Sequence, residues 1–305
     1  MRRFVTLLHN QNFILLFALV AGLLAGRGAE YTKTLVLPVL GVVMTLSSLG
    51  VSSEVFRSPR QMLQPMVVGV LMNYLVLGGG ILLLNHLLIS DREIWAGFVL
   101  LAAVPPAVAV IPFTVMLGGN LTFTMLATIG GYLSGLLLTP AIAVAFLGTS
   151  FIHPGRLLLV MVELILLPLV GSRLLLRTRM AVALQRYRGD LINWCFFLVV
   201  YTIVGLNRSI FFQQPFTLLP IASIALLTTF GFGWVIERGA RMARLPETTT
   251  VSVVLLGTLK NYGTAAGLGL ILYGKQAALP ATVATIAMIL YAIRLGMRKK
   301  PMNHD

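Results

Sequence analysis

Ten apolar runs fill most of the chain: residues 12–28, 34–52, 63–88, 92–118, 121–148, 154–175, 188–206, 214–240, 248–274 and 278–297. A helix needs roughly 20 mainly apolar residues to cross the hydrocarbon of a bilayer. Backbone in lipid must also satisfy its own polar groups, which helices do within one segment. Of 305 residues, 58% are hydrophobic and 10% charged. A soluble domain carries roughly 25% charged residues, so this chain has too few to cover its surface in water. The composition predicts an all-α, polytopic membrane protein. The first run follows Arg2 and Arg3, as in a signal peptide. It lacks a small-residue cleavage site and leads straight into the second run, so it reads as a span.

The basic residues fix an expected orientation. Sixteen of the 23 Lys and Arg fall in the N-terminal arm, the 53–62, 173–188 and 238–244 loops and the tail. The opposite loops hold Arg27, Lys33, Arg92, Arg156, Arg208 and Lys275. Positively charged loops stay inside, so ten spans place both termini in the cytoplasm. The loop near 176–187 reads as basic and amphipathic. A net charge of +14 would point to nucleic acid in a soluble protein. Here it points to anionic membrane lipid at the cytoplasmic face, with no nucleic-acid partner.

Two spans are interrupted. The fourth reads Pro105-Pro106-Ala-Val-Ala-Val-Ile-Pro112; each proline lacks a donor and blocks the carbonyl one turn back, so the helix breaks there. The ninth reads Gly257-Thr258-Leu-Lys260-Asn261-Tyr262-Gly263, a polar, glycine-rich interruption. The breaks lie about half a chain apart. Five spans per half is an odd number, so the halves, 1–149 and 150–305, enter the membrane in opposite senses. Paired interruptions in inverted halves are a mark of secondary transporters.

Lys260 is the most informative side chain. A charge at the depth of a mid-span residue costs at least ~2.5–3.5 kcal/mol, so it must face a partner or a wet cavity. Glu163 is the other charge well inside a span; pairing with Lys260, a protonated state and a path-lining role all remain open for it. Asn73, Thr124, Thr128 and Asn261 are the other polar candidates. Thr124 and Thr128 share a helix face, although threonine often bonds back to its own helix. Gly22/Gly26, Gly131/Gly135 and Gly263/Gly267 read as close helix contacts.

Enzyme chemistry finds little support. Gly131-Tyr-Leu-Ser134-Gly135 has the look of an intramembrane serine protease motif, yet no histidine lies inside a later span to act as base. Asp91 and Asp190 sit at interfaces and Asp305 in the tail, which leaves no aspartyl pair. One cysteine, Cys195, and four scattered histidines exclude a disulfide framework and a multi-cysteine metal site.

Several short motifs then resemble a known family, the bile acid:sodium symporters, in its bacterial form. They are Phe56-Arg57-Ser-Pro59, Asn73-Tyr-Leu-Val, Pro105 with Gly119-Asn120, Thr139-Pro140, Leu-Pro168 with Gly171, and Asn261-x-Gly263. The resemblance implies ten helices in a 5+5 inverted repeat within a bacterial inner membrane. Helices 3–5 and 8–10 would form a core with the fourth and ninth crossed, and helices 1, 2, 6 and 7 a panel. It also implies alternating-access transport of organic anions such as bile acids or smaller carboxylates.

The chain departs from that family at its sodium sites. The family's Ser-Asn pair aligns with Val110 and Ile111, its ninth-helix glutamate with Leu256, and the glutamine one turn later with Lys260. Thr124, Thr128 and Asn73 keep polar side chains at matching positions. Sodium is a hard cation that needs several oxygen ligands, by the logic of calcium and magnesium, so the sites read as lost. Lys260 is expected to take the ion's place, bonding to Asn73 and to carbonyls freed by the break. Sodium coupling then gives way to a fixed charge or to a proton. A cation there, with helix N-termini facing the midplane, suits an anionic substrate. The alternatives are a sodium-coupled symporter with relocated ligands and a non-transporting scaffold or sensor. The arsenite carriers that share the fold use a fourth-helix cysteine, which is absent here. Oligomeric state is not legible.

Overall fold

The computed structural model describes residues 11–49, 59–107, 109–148, 159, 163, 167–178, 180–213 and 215–298. Helices make up almost all of it. In chain order those of seven residues or more are α1 (Gln11–Ala25), α2 (Val36–Ser48), α3 (59–88), α4 (Arg92–Ala103) and α5 (Val110–Met116). Then follow α6 (Leu121–Leu147), α7 (Leu167–Leu175), α8 (Met180–Leu206), α9 (Pro215–Met242), α10 (Glu247–Leu256), α11 (Tyr262–Leu272) and α12 (Leu279–Arg298). Five helical runs are long and apolar enough to cross a membrane, and α10, α11 and part of α12 are shorter apolar helices.

The first long run, Phe13–Leu46, doubles back on itself. Along α1, Phe17 meets the Phe197 ring at 5.3 Å, and Gly22 and Gly26 abut Val204 and Gly205 of α8. Beyond the 3-10 turns at Gly26–Gly28 and Lys33–Leu35 the direction reverses, and Thr32 Oγ1 meets Thr202 Oγ1 at 2.6 Å. The run is therefore two antiparallel helices packed on α8. A Cβ on Gly22 would stand 2.8 Å from Val204 Cβ, and one on Gly26 2.7 Å from Gly205 Cα; only small residues let these backbones approach so closely.

Helices α1, α2, α7 and α8 pack mainly on one another, and α3–α6 with α9–α12 form the rest. The two sets meet where α2 and α8 face α11 and α12. The larger set holds most of the buried core, including Phe98, Leu100, Val104, Val110, Leu255, Leu256 and Leu268.

Three features differ from the expectation. Helix α8 starts at Met180, so residues 180–187 of the loop anticipated near 176–187 are a helical extension of the span. Helix α3 is π-helical over Leu71–Gly78, and α9 over Leu227–Gly231; one extra residue in a turn leaves no periodicity signal, so neither is visible in sequence. The anticipated span at 154–175 lies largely outside the described residues, which there form α7.

Candidate functional site

Both expected breaks are present. Helix α4, capped by the Asp91 carboxylate accepting from Glu93 N and Ile94 N at 3.0 and 2.9 Å, stops at Ala103. Val104 is extended, with φ −69° and ψ 154°, as a residue before proline must be. Helix α5 resumes at Val110. Pro112 falls in its first turn, where a missing N–H costs nothing, so the interruption is narrower than the 105–112 read from sequence. In the ninth span, α10 ends at Leu256 and α11 begins at Tyr262.

The two breaks lie against each other. Pro106 and Lys260 form an antiparallel bridge. Ala107 N donates to Leu259 O at 3.3 Å, and Asn261 N to Pro105 O at 3.1 Å. Each break thus supplies the partners the other lost.

The freed carbonyls can be followed one by one. In a helix the Ala102 carbonyl would accept from the residue four places on, which is Pro106 and has no N–H. Lys260 Nζ donates to it instead, at 2.7 Å. Ala103 O accepts from Thr139 Oγ1 of α6 at 2.7 Å. Val104 O takes a second Lys260 bond at 2.9 Å, and Asn73 Oδ1 of α3 the third at 2.8 Å. An ammonium has three donors, and all three are used. The Tyr74 ring lies 4.7 Å from Nζ, within cation–π range, and Tyr74 Oη donates to Gly131 O at 3.0 Å. Lys260 is wholly buried, and its partners among the described residues are all uncharged. Glu163 is exposed and is not among them.

Beside the crossing lies a cavity of about 40 Å³, room for roughly two or three waters. Leu15, Phe196 and Val199 line one side, and Asn261, Ala266 and Met288 the other.

A family model, described as the SBF-like CPA transporter family, matches residues 12–297, nearly the whole chain. The chain belongs to the SBF-like CPA transporter family. This SBF-like protein is a helical multi-pass membrane protein of a transporter family, and the family is bile acid:sodium symporter-like. No curated protein matches the chain.

The remaining predicted residues divide in two. Asn261 sits in the crossing of this SBF-like protein: its Oδ1 caps α11 by accepting from Thr264 N at 3.1 Å, and its Nδ2 reaches Met44 Sδ at 3.4 Å. Pro105 contributes its carbonyl. Thr124, Thr128 and Thr258 are buried, but the ammonium bonds to Asn73, Ala102 and Val104 and not to them. Thr128 donates to Thr124 O and Thr258 to Val254 O, each at 2.7 Å, and Thr114 Oγ1 donates to Thr124 Oγ1 at 3.1 Å. Val110 and Leu256 are fully buried in the apolar core, and Ile111 is half-buried. Sequence reasoning placed Tyr74 and Thr139 only within motifs of the family resemblance and did not put either forward as a site residue. The proline arithmetic exposes carbonyl 102 but not carbonyl 103, whose helical partner Ala107 N turns to Leu259 O instead, so no sequence signal leads to Thr139.

Proposed function

We propose that this protein is a secondary transporter of a small organic anion, working by alternating access without sodium, with Lys260 standing where related carriers hold an ion. The observation that carries the reading is the Lys260 shell: one buried cation, three neutral oxygens, and two broken helices that meet on it. An ammonium held in this way supplies a positive charge and closes the same carbonyls a bound cation would. Its charge has no carboxylate partner among the described residues, so it favours an anion in the adjoining cavity.

Two regularities support a 5+5 inverted repeat. The breaks at 104–109 and 257–261 are about 150 residues apart, and so are the π segments Leu71–Gly78 and Leu227–Gly231 in the preceding helices. On this reading α1, α2, α7 and α8 are the panel, and the other helices are the core. Both termini face the cytoplasm of a bacterial cell, and anionic lipid lies against the basic loops. A cavity of about 40 Å³ is too small for an organic acid, so panel and core must separate to admit one.

The test is uptake by proteoliposomes of a panel of radiolabelled carboxylates and bile acids, in sodium and in choline buffer, with and without a proton gradient. The expected result is uptake of at least one anion at equal rates in sodium and choline. Dependence on the proton gradient would identify a proton as the coupling ion. Uptake that requires sodium would overturn the reading, and absence of uptake across the panel would favour a scaffold or sensor.

A further inference from the structure

At one end of the bundle an ion pair ties the two sets of helices together. Glu30, in the turn between α1 and α2, receives Lys275 Nζ on Oε1 at 2.5 Å and Lys33 Nζ on Oε2 at 2.9 Å. Lys275 belongs to the turn between α11 and α12, where Gly274 adopts a φ of +99° that favours glycine. The Lys275 contact is between residues 245 positions apart, and both side chains are about half exposed.

Deeper in the bundle the same two elements are sealed by apolar contact. Val36 and Leu40 of α2 are buried against a glycine face of α11. A Cβ on Gly267 would lie 2.6 Å from Leu40 Cδ1, and one on Gly263 3.2 Å from Leu40 Cδ2 and 2.9 Å from Phe196 Cε1. Gly263 lines the cavity beside the crossing, with Ala266 and Thr285. Following α11 from the break outwards, the cavity comes first, then the glycine–leucine seal, then the ion pair at the rim.

We infer that the Glu30–Lys275 pair and the Leu40–Gly267 contact form a two-layer gate that closes this end of the cavity, and that parting them exposes the Lys260 crossing to the side of the membrane opposite the termini. The inference rests on the alternating-access reading. An exposed ion pair is weak and screened by salt, which suits a contact that must form and break in each cycle. The seal is equally reversible, because glycine presents no side chain to interlock with Leu40. Hydrogen bonds from Lys275 and Lys33 hold the Glu30 carboxyl down at about 2, below its unperturbed value. The Glu30 carboxylate therefore keeps its charge at mildly acidic and neutral pH and loses it only as pH falls through about 2, while the exposed pair it forms is screened by salt.

The test uses the full chain with Cys195→Ser and a single reporter, Thr285→Cys, in the cavity. A second reporter, Val199→Cys, serves if the first lowers the melting temperature. A membrane-impermeant maleimide is applied to right-side-out and inverted vesicles, and the labelling rate is read from each face. From the Glu30 face, Glu30→Gln and Lys275→Gln should each speed labelling about two- to five-fold, the range of an exposed pair. The charge swap Glu30→Lys with Lys275→Glu should return it towards the starting rate. Gly267→Leu, which wedges the seal and leaves the pair intact, should also speed labelling from that face only. Labelling that is unchanged by all three single substitutions, or changed equally from both faces, overturns the gate. Labelling needs no substrate, so a failed gate and a failed transport assay are read separately.

Discussion

Three stretches distant in sequence, at Asn73, at Ala102 to Val104 and at Lys260, are joined by one ammonium group. Lys260→Met would leave three buried oxygens without a donor, at about 1–3 kcal/mol each, so its melting temperature in detergent should fall steeply. Lys260→Gln keeps an amide with two N–H groups and should fall less. Equal losses for the two would mean that the hydrogen bonds contribute little. Thr139→Val strands the Ala103 carbonyl and should cost about 1–3 kcal/mol, although Thr139 touches neither Lys260 nor the cavity. At this scale the sequence was informative where chemistry was forced. A lysine mid-span needs oxygen partners, prolines 105 and 106 release carbonyls one turn back, and Asn73 lies in the helix expected beside them. It was uninformative where a side chain had a local choice. Thr124 and Thr128 carry the right hydroxyls, but Thr128 and Thr258 bond to the carbonyl four residues back, which composition cannot distinguish from a ligand role. Tyr74 was missed because an aromatic residue in an apolar span carries no signal until its ring is seen against a cation.

Glycine placement sets how closely the helices approach. A Cβ on Gly97 of α4 would run into the backbone carbonyl of Ala277, which cannot swing aside as a side chain can. Gly97→Ala should therefore destabilise by about 1–3 kcal/mol. Gly41 of α2 has nothing within 4 Å of the same position, and Gly41→Ala should be neutral or stabilising by up to about 1 kcal/mol. Melting temperatures of the two variants, measured side by side, check the contrast. The three glycine pairs read from sequence all sit at such contacts: Gly22 and Gly26 on α8, Gly131 and Gly135 on Pro106 and Tyr74, and Gly263 and Gly267 on Leu40. The long helices at 62–88, 121–147 and 215–242 were also legible, each as one unbroken apolar run. The π segments were not, because they shift register without changing composition. Nor was the start of α8 eight residues early, because an amphipathic helix lying beyond the apolar run has the composition of a loop.

Across the whole molecule, the proposed inverted halves and the inferred gate at one end would make a sided machine. If both termini are cytoplasmic, cysteines placed in the turn at 243–246, after α9, should be labelled by an impermeant reagent only in inverted vesicles. Cysteines beside Lys275 should be labelled only in right-side-out ones. The reverse pattern would turn the gate towards the cytoplasm. The claim on which the rest depends is that a side chain has taken the place of an ion. The most direct measurement is the melting temperature of the purified protein in sodium against choline buffer at matched ionic strength, with Lys260→Gln alongside. A ligand that binds only the folded state raises stability with its concentration. With the site filled by Lys260, the wild-type protein should melt within about 1 °C in the two buffers, well under the ~2–4 °C that 1 kcal/mol of binding would give a mid-sized domain. A rise of several degrees in sodium would show that the ion still binds, and that Lys260 does not replace it.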